Sequence, residues 1–312
     1  MSETTPLLSV PDSTKSLLTE PSQHPVPRSK APWTVHAESY FLFMKLRELP
    51  QGLYDPLEES WGDEGLGEFK GGLGTIMIVR YSVTPVGPYD ELLLIPGNFA
   101  VPQPSQGPPK IPKKALRISR IYVSQRTTTY NGRLNWNIPK HLARFSFSAP
   151  PTLKGQSPPL SLDVKVFPPG SEDGDGVGPF FACTLKPWRW VPSMPMNSKW
   201  IPMSMMHVQP PIPEPPGQRA AVKDVLQSPE IDAYDVGAKG EEALCVGTDR
   251  WTAFDIGLSF PRARGCWVSM GETGTEEGVS ARYFSQGLQP WGVGGWMEEG
   301  VLEIEEPLEW KL

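Results

Sequence analysis

The chain has 312 residues, 38% of them hydrophobic and 11 of them tryptophan, enough apolar material for a sizeable core in one large β-rich domain or two average ones. Its 29 basic and 35 acidic residues leave a net charge of -6 with no long basic run, which argues against nucleic acid and anionic membrane as partners. No stretch approaches the roughly 18 consecutive apolar residues of a spanning helix. No secretory core is expected at the N-terminus, and three scattered cysteines, Cys183, Cys245 and Cys266, suit reduced thiols in a cytoplasmic protein.

In chain order, residues 1 to 30 are rich in Ser, Thr, Pro and charge and read as a disordered tail. Organised sequence starts at Trp33, and residues 33–312 read as one domain. Ser39 to Leu46 has the aromatic and aliphatic density of a buried strand. Leu53 to Gly74 is polar and glycine-rich, without the surroundings of a dinucleotide or phosphate loop. Thr75 to Val83 is a strand, Pro85 to Pro88 turns the chain, and Tyr89 to Ile95 forms the next strand. Alternation puts Tyr89, Glu91 and Leu93 on one face, so an inward Glu91 needs a cation, with Lys140 and Arg133 as the candidates. Gln103 to Lys114 is a proline and lysine loop, and Arg117 to Ser124 alternates as a strand.

Gly132 to Phe145 carries the chemistry. Proline suits the first position of a helix, so Ile138-Pro139-Lys140 predicts a helix start with Lys140 in its first turn. There the partial positive charge of free amides, and burial by Trp136, Ile138, Leu142 and Phe145, would both lower the lysine pKa. A neutral amine attacks ketones, and a protonated His141 would add like-charge repulsion. The remaining chain alternates short strands and turns: Phe145 to Phe147, Ser161 to Phe167, an acidic hairpin at Pro168 to Gly178, then Phe180 to Leu185. Trp188 to Met206 is a tryptophan and methionine cluster suited to a core or to a pocket for an apolar tail. His207 after it reads as a hydrogen-bonded structural residue. Gly271 to Gly278 is an acidic loop, and the segments from Gln289 onward read as closing strands.

Gly132-Arg133 through Pro139-Lys140, with Tyr89-Asp-Glu91 upstream, resembles the signature of the acetoacetate decarboxylase superfamily over roughly Tyr81 to Phe147. The resemblance implies a mainly β fold with short helices, a closed antiparallel β-barrel, and a Schiff base between Lys140 and a β-keto acid with Glu91 close by. It also implies that Arg133 holds the loop or meets an anion and that His141 is a local acid or base. Three positions depart from the pattern: His141 stands where a second lysine is usual, Leu134 where a glutamate is common, and Glu38 closest to an expected arginine.

The expected function is therefore a lyase that decarboxylates a β-keto acid. A Schiff-base aldolase-dehydratase acting on a keto acid and a non-catalytic binding barrel stay open as alternatives. Histidines at 24, 36, 141 and 207 show no metal-ligand spacing, there is no Cys-x-x-Cys and no Gly-x-Ser-x-Gly, so neither a metal nor another cofactor is expected. The expected partner is a small keto-acid-like substrate, and a homo-oligomer is left open.

Overall fold

Runs of β-branched and aromatic residues broken by proline and glycine give 16 strands and few helices among the described residues. The computed structural model describes residues 24–104, 111–202, 204–226, 232–237, 239–274, 282–285 and 287–312. In order, the elements are Trp33–Lys45 (β1), Phe69–Gly71 (β2), Leu73–Val83 (β3), Tyr89–Ile95 (β4), Asn98–Ala100 (β5), Lys114–Leu116 (β6), Arg120–Val123 (β7) and Arg126–Trp136 (α1). Then come Lys140–Leu142 (β8), Arg144–Phe147 (β9), Leu162–Phe167 (β10), Phe181–Pro187 (β11), Met194–Asn197 (β12) and Met206–Gln209 (β13). Gln218–Leu226 (α2), Glu241–Leu244 (α3), Trp251–Met270 (β14), Val293–Ile304 (β15) and Leu308–Trp310 (β16) complete the chain.

The central strands β1, β3, β4 and β7 are buried on both faces over most of their length. Along β3, Met77, Val79 and Tyr81 join one apolar cluster with Phe41, Leu93, Trp136 and Leu258, while Ile76 and Ile78 join a second with Tyr40, Leu92, Leu94 and Trp296. Alternation thus sorts neighbouring residues into two cores, one on each side of the sheet. In β4 it turns Tyr89, Glu91, Leu93 and Ile95 toward the first core.

The sheet is open, which corrects the expected closed barrel. Its hydrogen-bonded path runs β2-β5-β6-β13-β14-β15-β1-β3-β4-β7-β8, with β9, β10 and β11 branching off β14. Among the described residues no strand takes the free edge of β8, where the Leu142 amide donates to the Glu241 carboxylate. The chain then turns at Ala143, and β9 pairs with β10 instead.

The expected helix start at Lys140 is also overturned, since the helix lies before the lysine. Gln125 caps α1 by accepting from the Thr128 amide, and Asn137 ends it at φ 55°, a left-handed position that asparagine tolerates. The Asn137 side chain donates to the Pro210 carbonyl and accepts from Thr248, so that turn is tied down on both sides. Pro139 follows in an extended link, and Lys140 opens a strand paired in parallel with β7. Residues 24 to 32 lie against α1, with His24 stacked on Tyr130 and Asn131 donating to the Pro27 carbonyl. The rest of the expected tail, residues 1 to 23, lies outside the described residues, as do 105 to 110 of the lysine loop and 275 to 278 of the acidic loop.

Candidate active site

Lys140 is 4% exposed, and its Nζ donates to Glu91 Oε2 at 2.7 Å, Thr128 Oγ1 at 3.0 Å and Tyr89 Oη at 3.4 Å. Tyr81 donates to the other Glu91 oxygen at 3.2 Å. Four elements supply this group: β8 the lysine, β4 Tyr89 and Glu91, β3 Tyr81, which is the cross-strand neighbour of Tyr89, and α1 Thr128. Gly132 on α1 makes the approach possible. A Cβ there would lie 2.7 Å from Lys140 Cδ and 2.8 Å from Cε, so only glycine lets the lysine stem pass against the helix.

The charge state differs from the expected neutral amine. Burial favours the uncharged lysine, but the Glu91 carboxylate and Tyr89 outweigh it, and the pKa of Lys140 is raised above its ordinary value. The expected lowering relied on a helix start that is not there. At rest the site is an ammonium-carboxylate pair. Burial likewise raises both phenols, Tyr81 with the Glu91 charge reinforcing it and Tyr89 with Lys140 opposing it, so each keeps its proton and can donate.

This pair sits in the wall of a cavity of about 180 Å³. Phe41, Met77, Leu93, Ile121, Trp136 and Leu258 are among the side chains that line it, together with Tyr81, Tyr89 and His207. An amine beside a carboxylate inside an apolar cavity is suited to carbonyl chemistry, because the carboxylate can take the proton that leaves the amine and return it later.

His141 and Arg133 stand elsewhere. Alternation along β8 turns His141 away from Lys140, and its Nε2 lies 2.9 Å from Glu58 Oε2, while Arg133 Nη1 donates to Glu58 Oε1 at 2.9 Å. Glu58 is fully buried. Burial alone would raise its pKa, but the two cations hold it at about 2. Burial pushes His141 down and the Glu58 and Asp55 carboxylates outweigh that, leaving it well above its ordinary value. Asp55, Glu58 and His141 place their ligand atoms within 4.8 Å of one another, a spacing compatible with a metal ion. Arg133 and His141 already take one Glu58 oxygen each, so the cluster is neutralised by protein cations.

The Tyr-x-Glu and Gly-Arg segments led to Glu91 and Lys140, which the fold brings into contact. Tyr81 and Thr128 were missed. Pairing β3 with β4 would have found Tyr81, whereas the run Thr127-Thr-Thr129 carries no signal that singles out its middle member. Glu38, at the position of the expected arginine, binds Thr152 and the Trp296 indole instead. All three cysteines are buried and unpaired, and among the described residues no helix is long and apolar enough to cross a membrane.

No family model and no curated protein sequence matches the chain. Solved structures do. Acetoacetate decarboxylase from Legionella pneumophila subsp. pneumophila str. Philadelphia 1 superposes at TM-score 0.53 and 11% identity, over 94% of this chain and 93% of that one. An acetoacetate decarboxylase-like enzyme from Sphingomonas wittichii RW1 superposes at TM-score 0.51 and 8% identity, over 91% and 94%. At such identities the likeness is one of fold.

Proposed function

We propose that this chain, built on the acetoacetate decarboxylase fold, is a lyase that forms a Schiff base at Lys140 with a β-keto acid and releases carbon dioxide. The observation that carries the reading is the Lys140-Glu91 contact of 2.7 Å in the wall of an apolar cavity. Lys140 passes a proton to Glu91 and attacks the ketone carbon. The carbonyl oxygen takes up protons and leaves as water, and the nitrogen becomes an iminium cation. The bond to the carboxylate carbon then breaks, its electron pair forms the carbon-carbon double bond of an enamine, and carbon dioxide departs. A proton delivered through Glu91 restores the iminium, and water frees the ketone and the amine. The sum consumes one β-keto carboxylate and one proton and yields one ketone and one carbon dioxide.

The cavity supports the cleavage step, because a carboxylate held away from water gains by becoming neutral carbon dioxide. Tyr89, close to Nζ, is placed to donate to the developing alkoxide. Borohydride trapping with a panel of β-keto acids, followed by peptide mass spectrometry and a carbon dioxide assay, tests the reading. The expected result is a reduced adduct on Lys140 that is lost in Lys140→Met. Absence of any adduct across the panel in folded protein would remove the chemistry and leave a binding fold.

A further inference from the structure

The rest of the lining constrains the ligand more than the reactive pair does. Among the described residues neither an arginine nor a second lysine lines the cavity, so a second carboxylate or a phosphate on the ligand would be buried without a cation, at considerable cost. The apolar wall is long. From Glu91 to Ile95 every second residue of β4 faces the cavity, a run of about 13 Å at strand spacing. A volume of about 180 Å³ exceeds the roughly 150 Å³ of an apolar cavity that takes benzene, leaving space beyond a small keto-acid head.

Two polar side chains line the cavity away from the reactive pair: Thr75, whose hydroxyl already donates to the Ile76 carbonyl, and His207. His207 is 1% exposed, stacks on Phe254 at 5.6 Å between ring centroids, and makes no hydrogen bond of good geometry at either ring nitrogen among the described residues, the Met205 backbone being its only weak polar neighbour there. Burial lowers its pKa to about 4, against a smaller opposing influence of the Met205 backbone, so at neutral pH it offers one N–H and one lone pair. It is level with Leu116, and Lys140 with Ile121. Leu116 and Ile121 are at most about 17 Å of chain apart, so with one cross-strand step at each end the Cα atoms of His207 and Lys140 lie within about 27 Å.

We infer that the ligand is a carbonyl compound with an uncharged apolar body and one distal neutral oxygen, a hydroxyl or second carbonyl, that hydrogen-bonds His207. The inference rests on the Schiff-base reading for the head of the ligand and on the cavity for its body. A buried imidazole without a partner is costly in the empty site, and a ligand oxygen relieves that cost.

The test has two arms. In the first, carbon dioxide release is followed for acetoacetate, 3-oxooctanoate, 8-hydroxy-3-oxooctanoate and acetone-1,3-dicarboxylate. The expected kcat/KM rises roughly threefold to fourfold per methylene until the cavity is full, and the dicarboxylate is rejected. The distal hydroxyl adds about fivefold in the wild type and nothing in His207→Phe, with His207→Gln restoring part of it. In the second arm, the corresponding methyl ketones are titrated against Lys140→Met, using the fluorescence of Trp33 and Trp136 in the cavity wall. The same tail and hydroxyl preferences there support the ligand class even if the first arm shows no turnover, a result that sinks only the Schiff-base chemistry. Equal binding of short and long ketones overturns the inference, as does a His207→Phe effect that is the same with and without the hydroxyl.

Discussion

Lys140 and His141 are neighbours on one strand, yet they stand in opposite kinds of surroundings. Lys140 shares a cavity wall with a single carboxylate and two phenols, and the space before it is apolar. His141 faces a cluster in which the buried Glu58 meets both His141 and Arg133, the partly exposed Asp55 lies 3.9 Å off, and Glu241 is equally far from the other ring nitrogen. Both regions are buried and charged. They differ in what remains to be done there: both oxygens of the central carboxylate Glu58 are taken by protein cations, whereas the cavity pair borders space that a ligand can fill. A perturbed pKa is therefore a poor guide by itself, because both regions have one, and it is the Lys140 pair that lines the apolar cavity.

Single substitutions on each side should break that comparison in different currencies. The largest effect is expected from Lys140→Met, which should cut turnover by about four orders of magnitude or more, read as carbon dioxide release. It also leaves Glu91 buried without its cation, so stability should fall, and the double variant Lys140→Met/Glu91→Leu should recover much of it in a denaturation midpoint. On the other side, Glu58→Ala leaves Arg133 and His141 uncompensated. It should cost about 3 to 5 kcal/mol of stability, with kcat per folded molecule changed only a few-fold. A Glu58→Ala protein that is as stable as wild type but inactive would reverse the assignment of the two regions.

Gly132→Ala sharpens the boundary, since α1 contacts both regions. A methyl group there displaces the lysine stem and not the cluster, and a shift of about 1 Å in a reacting group can cost about 100-fold. Reduced kcat with weakened borohydride trapping, in protein that unfolds near the wild-type midpoint, is the expected pattern.

What could be read from the residues alone follows the same division. Alternation in Thr75 to Val83 and Tyr89 to Ile95 showed the strands and the face of Glu91, because burial on a strand is a local property with period two. Helix α1 could not be read in this way. Its sequence Arg126-Thr-Thr-Thr-Tyr-Asn-Gly-Arg-Leu-Asn-Trp136 has no apolar stripe, yet most of it is buried, because distant backbone satisfies its polar side chains. Arg126 donates to the carbonyls of Gly237 and Lys239, Asn131 to Pro27, and Arg133 to Pro213 and Val246. Local pattern carries none of those partners. The same gap hid Glu58, the shared partner of Arg133 and His141, 75 and 83 residues away, and it placed a helix after Pro139 instead of before it; Arg133 holds loop carbonyls, one of its two expected roles, away from Lys140.

The pH dependence of stability gives the smallest effect and separates the two regions without changing the cavity. His141 has a folded pKa well above 6.5, so its contribution is complete below that value and is lost as pH rises through the folded pKa. Glu58, held at about 2 against an ordinary 4.5, contributes fully above 4.5 and loses that contribution as pH falls. His207 works in the opposite sense to His141: lowered to about 4, it takes up a proton more readily when unfolded, so stability falls as pH drops from 6.5 toward 4. Lys140, raised above 10.5, loses its contribution only beyond that value, and the buried thiols Cys183 and Cys266, both raised from 9, add an alkaline loss only as free thiols ionise near 9. Asp90, raised by burial to about 6, loses its contribution as pH rises from 3.8 through that value, so between about pH 7.5 and 8.5 the decline in stability should trace to His141, at no more than about 1.4 kcal/mol per unit. Urea midpoints across that window should fall in the wild type and in Lys140→Met alike, and stay level in His141→Gln. A slope that disappears in Lys140→Met and persists in His141→Gln would mean that the cavity lysine, not the histidine, is the group losing its proton there, and that the amine is free near neutral pH after all.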